Sequence, residues 1–182
     1  MGWTLMDHRP AGESHEAFFA RELLRSDQEI LAAAHVRGIG GTFYAAVREQ
    51  RSGEVWALVV LTTGRAGSGF GYKEMEESQG PTPCECPAHV LDLLSPTKSE
   101  RAIEWRSRCR ARLRHLAAVT PGIRVRFELD YLTPEGPCRT FEAVDPAQGH
   151  FRGPEQTVYR LTGWRREPFE VLPAAAPDGK ES

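Results

Sequence analysis

The stretch Thr42–Thr63, TFYAAVREQRSGEVWALVVLTT, contains two runs typical of β-strands joined by a turn. The first run, Thr42–Glu49, and the second, Glu54–Thr63, are rich in aromatic and β-branched residues. Gln50–Gly53 between them places a glycine where a hairpin turn needs a positive φ. Because the second run is apolar on both faces, we expect a central strand covered on both sides. This hairpin is predicted to form the core of the N-terminal part.

Two segments precede the hairpin. Ser14 is a suitable N-cap for a helix that runs to about Leu24 and carries Phe18 and Phe19 on an apolar face. The segment Glu29–Val36 favours a helix by intrinsic propensity, but it leads through glycines directly into the hairpin. We therefore interpret it as a strand.

The segment Gly69–Leu94 follows the hairpin and combines glycines, prolines, acids and two cysteines. We expect a long acidic loop, ending in a short helix over Ala88–Leu94, because long structured connections within compact domains usually carry function. Residues 99–118 are predicted to form an Arg-rich amphipathic helix that stops before Pro121.

The pattern changes after Pro121 to short strands separated by turns. The predicted strands are Ile123–Asp130, Thr140–Val144, Thr157–Leu161 and Phe169–Leu172. Such spacing is typical of a small barrel-like or curled sheet. We predict an α+β protein with an N-terminal antiparallel sheet flanked by helices (1–120), a small all-β subdomain (121–172) and a mobile tail (173–182).

Composition restricts the class of protein. The chain has 182 residues and a formal net charge of -2, which argues against a protein whose whole surface binds nucleic acid. The N-terminus lacks the apolar segment of a secretory signal. No apolar run in the sequence approaches the length of about 18 residues that a membrane-spanning helix needs. We therefore expect a cytoplasmic protein. Four cysteines in a chain of this length indicate reduced thiols.

The Arg-rich helix offers a binding surface. Its arginines between 101 and 114 are Arg101, Arg106, Arg108, Arg110, Arg112 and Arg114. At 100° per residue, Arg106 falls on the apolar face and should pair with a carboxylate of the acidic loop, because an unpaired buried guanidinium is costly. Arg101, Arg108 and Arg112 share the solvent side. Either the acidic loop and the helix neutralise each other as scaffold, or these three arginines bind phosphate or an acidic partner.

The acidic loop carries the other candidate residues. Tyr72, Lys73, Glu74 and Glu76 form the candidate binding segment of the loop. In an alternative interpretation the protein is an enzyme acting on nucleic acid or nucleotide. Glu74 and Glu76 would then act as metal or acid–base carboxylates, and Arg106 or Lys73 would hold phosphate.

Three cysteines and a histidine could in principle hold zinc. Cys84, Cys86, His89 and Cys109 are suitable ligand types, but the Cys-x-Cys spacing is unfavourable and the usual Cys-x2-Cys pairs are missing. Buried thiols are the simpler interpretation. No metal site, cofactor or catalytic residue is therefore predicted.

Seven short motifs are distributed over most of the chain: Met1–Thr4, Gly71–Glu77, Gly80-Pro81, Cys86-Pro87, Leu91–Thr97, Glu104–Arg110 and Tyr159–Trp164. In these motifs the chain resembles an uncharacterised family of small bacterial proteins, a domain of unknown function associated with plasmids, phages and other mobile elements. The resemblance implies a genomic setting and no catalytic residue. Small accessory proteins in that setting often bind a host protein or nucleic acid, as anti-defence or maintenance factors do.

These observations predict a non-enzymatic accessory protein that binds a host protein or nucleic acid through the 69–94 loop and the Arg-rich helix. A metal-dependent enzyme and a structural subunit of a larger assembly are the alternatives.

Overall fold

The computed structural model describes residues 3–6, 12–36, 41–64, 70–79 and 82–173. The chain divides into two compact units, Met1–Leu113 and Arg114–Ser182, whereas the sequence placed the boundary near Pro121. The elements of the first unit are β1 (Thr4–Met6), α1 (His15–Leu23), β2 (Gln28–Val36), β3 (Thr42–Glu49), β4 (Val55–Gly64), β5 (Phe70–Glu76), α2 (Ala88–Leu91) and the start of α3 (Glu100–Ala117). The second unit contains β6 (Arg124–Thr133), β7 (Gly136–Asp145), β8 (His150–Arg152), β9 (Val158–Arg160) and β10 (Phe169–Val171), with a 3-10 turn at Pro154–Gln156.

The first unit is built on an antiparallel sheet in the order β1-β5-β4-β3-β2, so β4 is central. The β3–β4 hairpin pairs Thr42 with Leu61, and Gly53 in its turn has a φ of 72°. Val59 and Val60 are adjacent in β4 and point to opposite faces, yet both are fully buried. Val60 packs with the aromatics of α1, whereas Val59 packs with residues of α2 and α3. Helices therefore cover both faces of the sheet, and the predicted α+β class is confirmed.

The elements before the hairpin follow from local chemistry. Ser14 caps α1, since its Oγ accepts a hydrogen bond from the Ala17 N–H at 3.0 Å. The segment Glu29–Val36, which favoured a helix by intrinsic propensity, lies in strand β2. This strand pairs with β3 from Gln28 to Val36. The edge of β3 offers backbone hydrogen-bond partners, and these outweigh the helical propensity of the alanines.

The 69–94 segment differs from the predicted loop in its first half. Phe70–Glu76 is strand β5, which pairs with β4 on one side and β1 on the other. Tyr72 and Met75 are buried on opposite faces of this strand, so its residues show no regular alternation, and the edge of β4 supplies hydrogen bonds that the sequence does not reveal. Residues 82–87 run without helix or strand to α2, and residues 69, 80 and 81 lie outside the described part of the chain.

The second unit contains an antiparallel sheet in the order β10-β6-β7-β8-β9. Within residues 114–173 its end strands β10 and β9 do not pair with each other, so this is an open sheet and not a closed barrel. The three-residue strand β8 was absent from the prediction. The predicted mobile tail, beyond Pro173, lies outside the described residues.

The core of the second unit lies on one face of this sheet. Phe127 contacts the rings of Phe141, Phe151 and Phe169 at centroid distances of about 6 Å, in T-shaped arrangements. Its neighbours in β6 alternate between exposed and buried. None of the described helices is long and apolar enough to cross a bilayer.

Candidate binding surface on helix α3

One face of α3 is anchored in the core of the first unit. Ala102, Trp105 and Cys109 are buried, as expected for residues three to four positions apart. The Trp105 Nε1–H donates to the carbonyl oxygen of Pro83 at 3.0 Å, and the Tyr44 hydroxyl donates to the same oxygen at 3.2 Å. These bonds fix the segment 82–87 against α3 and determine the direction in which its arginines point.

Arg106 lies on the buried face and is fully engaged. Its Nε donates to Glu77 Oε2 at 2.6 Å, and its Nη1 donates to the Ser95 carbonyl at 2.6 Å. The side chains of Arg106 and Glu77 are only 11% and 4% exposed. Glu77 Oε1 also accepts the Ala57 N–H, which ties the pair to β4. This bidentate pair is structural, and Arg106 is not available to bind phosphate.

A second arginine of α3 is satisfied by the acidic segment at the surface. Arg110 Nη2 lies 3.6 Å from Asp92 Oδ1 and donates to the Leu91 carbonyl at 3.3 Å. Both side chains are largely exposed, so this ion pair contributes little to stability. Glu77 and Asp92 thus neutralise two arginines of the helix, Arg106 and Arg110. For these two arginines the contacts agree with the scaffold interpretation.

Arg101 and Arg108 form the exposed part of the predicted surface. Both side chains are exposed, and neither forms a hydrogen bond or an ion pair with any residue that the structure describes. They lie seven positions apart, on the same flank of α3. Arg112, the third member of the predicted set, is partly buried on that flank. We call Arg101, Arg108 and Arg112 the arginine flank.

The predicted binding residues of the 69–94 segment do not join the arginine flank. Tyr72 is 6% exposed and packs on the α1 face against Phe18 and Phe19, and burial raises the pKa of its hydroxyl. Glu74 and Glu76 are exposed and alternate onto the same face as Tyr72, whereas Lys73 is partly buried on the opposite face. The four predicted binding residues therefore lie on two opposite faces of β5 and do not form one surface.

Two of the four cysteines are buried thiols, and Cys84 and Cys138 are partly buried. Cys86 and Cys109 are fully buried, and burial raises the pKa of both, that of Cys109 to about 12. Burial of these two side chains favours the neutral thiol over the thiolate. His89 is exposed, with its Nε2 3.5 Å from the Ala33 carbonyl. Among the described residues, no group of three or more potential ligands could hold a metal ion.

Sequence reasoning missed a second concentration of arginines, Arg160, Arg165 and Arg166, in the second unit. These residues line one cavity there. The available signal was the local density of arginines on both sides of Gly163-Trp164, within and just after one of the resemblance motifs. The absence of acidic residues from Arg160 to Arg166 would have strengthened that signal.

Comparison of the chain with protein-family models, with curated proteins and with solved structures found no match. The resemblance to proteins of mobile elements stays a prediction. Function must therefore be inferred from the geometry of this chain, and above all from its exposed arginines.

Proposed function

We propose that this protein is a non-enzymatic accessory protein that binds an acidic macromolecule through the arginine flank of α3. The observation that carries the proposal is the division of the arginines in this helix. Arg106 and Arg110 are engaged by the acidic segment, whereas Arg101 and Arg108 are exposed and pair with none of the described residues. A guanidinium fork held on a rigid helix favours bidentate binding of carboxylate or phosphate.

The charge pattern of the flank favours an acidic protein over nucleic acid as the partner. Glu104 is exposed and lies three residues after Arg101 and four before Arg108, so it is adjacent to both on the helix surface. A phosphate backbone would be repelled by this carboxylate. An acidic protein surface that presents one basic residue among its carboxylates would complement the +/−/+ pattern, and such complementarity gives specificity.

The resemblance to proteins of plasmids, phages and other mobile elements supports a biological setting for this binding. In that setting the partner would be a host protein, and the role would be anti-defence or maintenance. The proposal of a binding surface does not depend on this setting.

The enzyme alternative receives no support from the positions of its candidate residues. Glu74 and Glu76 face the α1 side of the sheet, whereas Arg106 lies on the α3 side and is held by Glu77. Glu76 does line an open cavity together with Arg106, but the Arg106 guanidinium is already held by Glu77 and by the Ser95 carbonyl.

The proposal is tested by affinity capture from a bacterial lysate, with and without nuclease. The variant is Arg101→Glu with Arg108→Glu, and the charge-matched control is Arg51→Glu with Arg126→Glu, two exposed positions outside α3. We expect the wild type and the control to retain one near-stoichiometric protein after nuclease treatment, and the α3 variant to lose it. Equal recovery by the α3 variant would show that the flank is ordinary solvated surface. Recovery that disappears with nuclease would replace the acidic protein by nucleic acid.

A further inference from the structure

The second unit contains a cavity of about 300 Å³ between a turn after β7 and the segment that follows β9. Its lining residues are Ala147, Gln148, Gly149, Arg160, Leu161, Thr162, Gly163, Trp164, Arg165 and Arg166. Three of these are arginines and none is acidic. The cavity thus concentrates positive charge without the carboxylate that interrupts the arginine flank of α3.

The two walls of the cavity are locked together by backbone contacts. The Leu161 N–H donates to the Gly149 carbonyl at 2.8 Å. Gly149 has a φ of 76°, and a Cβ at this position would lie 3.1 Å from the Leu161 carbonyl oxygen, so only glycine fits without strain. In the other wall the Arg166 N–H donates to the Gly163 carbonyl at 2.9 Å, which closes a turn. The backbone segments that line the cavity with the arginines are therefore conformationally constrained.

The side chain of Arg165 is held in place. Its guanidinium carbon lies 5.5 Å from the centre of the Trp164 ring, and its Nη2 donates to the Pro146 carbonyl at 3.3 Å. Trp164 is 4% exposed and packs against Phe151 and Phe169 in the core. A guanidinium oriented in this way loses little conformational entropy when it binds a ligand.

The nearest acidic group in the turn is already engaged. Asp145 Oδ1 accepts the Gln148 N–H at 3.2 Å, and Asp145 does not line the cavity. Arg160 is exposed in the edge strand β9, where it pairs in register with His150. An anion bound between neighbouring guanidinium groups reduces the repulsion between them.

We propose that this cavity binds a phosphate group, either as inorganic phosphate or as a phosphodiester of single-stranded nucleic acid. Planar guanidinium groups match the geometry of phosphate oxygens and bind them in pairs. The volume is at the lower end of the range for small-ligand sites and exceeds what one phosphate needs. This site goes beyond the proposed function, because it lies in the other unit and uses none of the residues of α3.

The test is a titration of the ¹⁵N-labelled full-length chain, followed by NMR at constant ionic strength. One arm adds inorganic phosphate, a second adds a single-stranded oligonucleotide without a terminal phosphate, and sodium chloride replaces both in the blank. We expect saturable shifts of the amides of residues 147–149 and 161–166 with phosphate or with the oligonucleotide, and none with chloride. Saturation at a lower concentration of the oligonucleotide would assign the site to a phosphodiester, and saturation by phosphate alone would assign it to the free ion.

Variants distinguish binding in this cavity from nonspecific binding of anions to the charged surface. Arg160→Gln with Arg166→Gln should weaken binding at least tenfold, and Arg160→Gln alone, at an exposed position compatible with folding, should weaken it severalfold. Arg124→Gln with Arg126→Gln, on the same sheet but outside the cavity, should bind as the wild type does. Binding by the α3 variant Arg101→Glu with Arg108→Glu should also be unchanged, so failure of the proposed function would leave this result intact. Absence of saturable shifts, or equal shifts in the Arg160 variants, would overturn the proposal.

Discussion

The two sheets of this protein have the same number of strands and the same antiparallel pairing, but they are buried differently. In the first sheet α1 covers one face and α2 with α3 covers the other, so Val59 and Val60 are both inaccessible to solvent. In the second sheet β6 alternates, with Val125 and Phe127 buried and Arg126 exposed between them. A strand with two apolar faces indicates a sheet between layers, and an alternating strand indicates a sheet with one solvated face.

The solvated face of the second sheet carries a ladder of opposite charges. Arg126 Nη2 lies 2.6 Å from Glu170 Oε2 across β6 and β10. Arg152 Nη1 lies 2.8 Å from Glu142 Oε1 across β7 and β8. Within each pair the arginine and the glutamate neutralise each other at an exposed position. These pairs therefore contribute little to stability, and they offer no concentrated charge to a ligand. In the first unit the corresponding charge pair, Arg106 with Glu77, is buried.

The largest effect is expected at the buried face of the second sheet. Phe127→Ala should destabilise the second unit by about 3–5 kcal/mol, because it removes the ring at the centre of an aromatic cluster and leaves a cavity. Hydrogen exchange followed by mass spectrometry would show the loss of protection in β6 to β8. Unchanged protection there would contradict the placement of Phe127 in the core.

Loss of the buried ion pair is expected to have the next largest effect. Arg106→Ala should destabilise the first unit by about 3 kcal/mol, since it leaves the Glu77 carboxylate buried without its partner. Chemical denaturation would measure the change. The double variant Arg106→Met with Glu77→Leu removes both charges and should recover much of the loss. A single variant that unfolds at the wild-type midpoint would exclude a buried pair.

The two-sided burial of β4 is tested by two neighbouring truncations. Val59→Ala and Val60→Ala should each destabilise the first unit by about 2 kcal/mol, because both remove buried methyl groups. The same denaturation measurement applies to both variants. If only one of them lost stability, one face of the first sheet would be solvated, and the contrast between the sheets would disappear.

The smallest effect is expected on the solvated face of the second sheet. Arg126→Ala should change stability by no more than about 0.5 kcal/mol, because its ion pair with Glu170 is exposed and screened by solvent. Protection from hydrogen exchange in β6 is the relevant measurement. A loss comparable to that of Phe127→Ala would mean that the charge ladder is part of the core.

The sequence predicted much of the fold but less of the surface. The β3–β4 hairpin, the Ser14 cap and the inward position of Arg106 were all readable from neighbouring residues. Strand β5 was predicted as a loop because its buried residues, Tyr72 and Met75, do not alternate regularly with its exposed ones, and Tyr72 was assigned to a surface although it packs in the core. Both errors concern a strand whose partner is not apparent from its own residues.

Local chemistry dictated the turns, the helix cap and the apolar faces, because each depends on residues only a few positions apart. The tertiary structure alone decided which acid meets Arg106, since Glu77 lies 29 residues away and four other acids of the same segment were available. It also decided that Gly149 packs against Leu161 and so places three arginines around one cavity. Contacts between distant segments depend on how whole layers pack, and no short stretch of sequence contains that information.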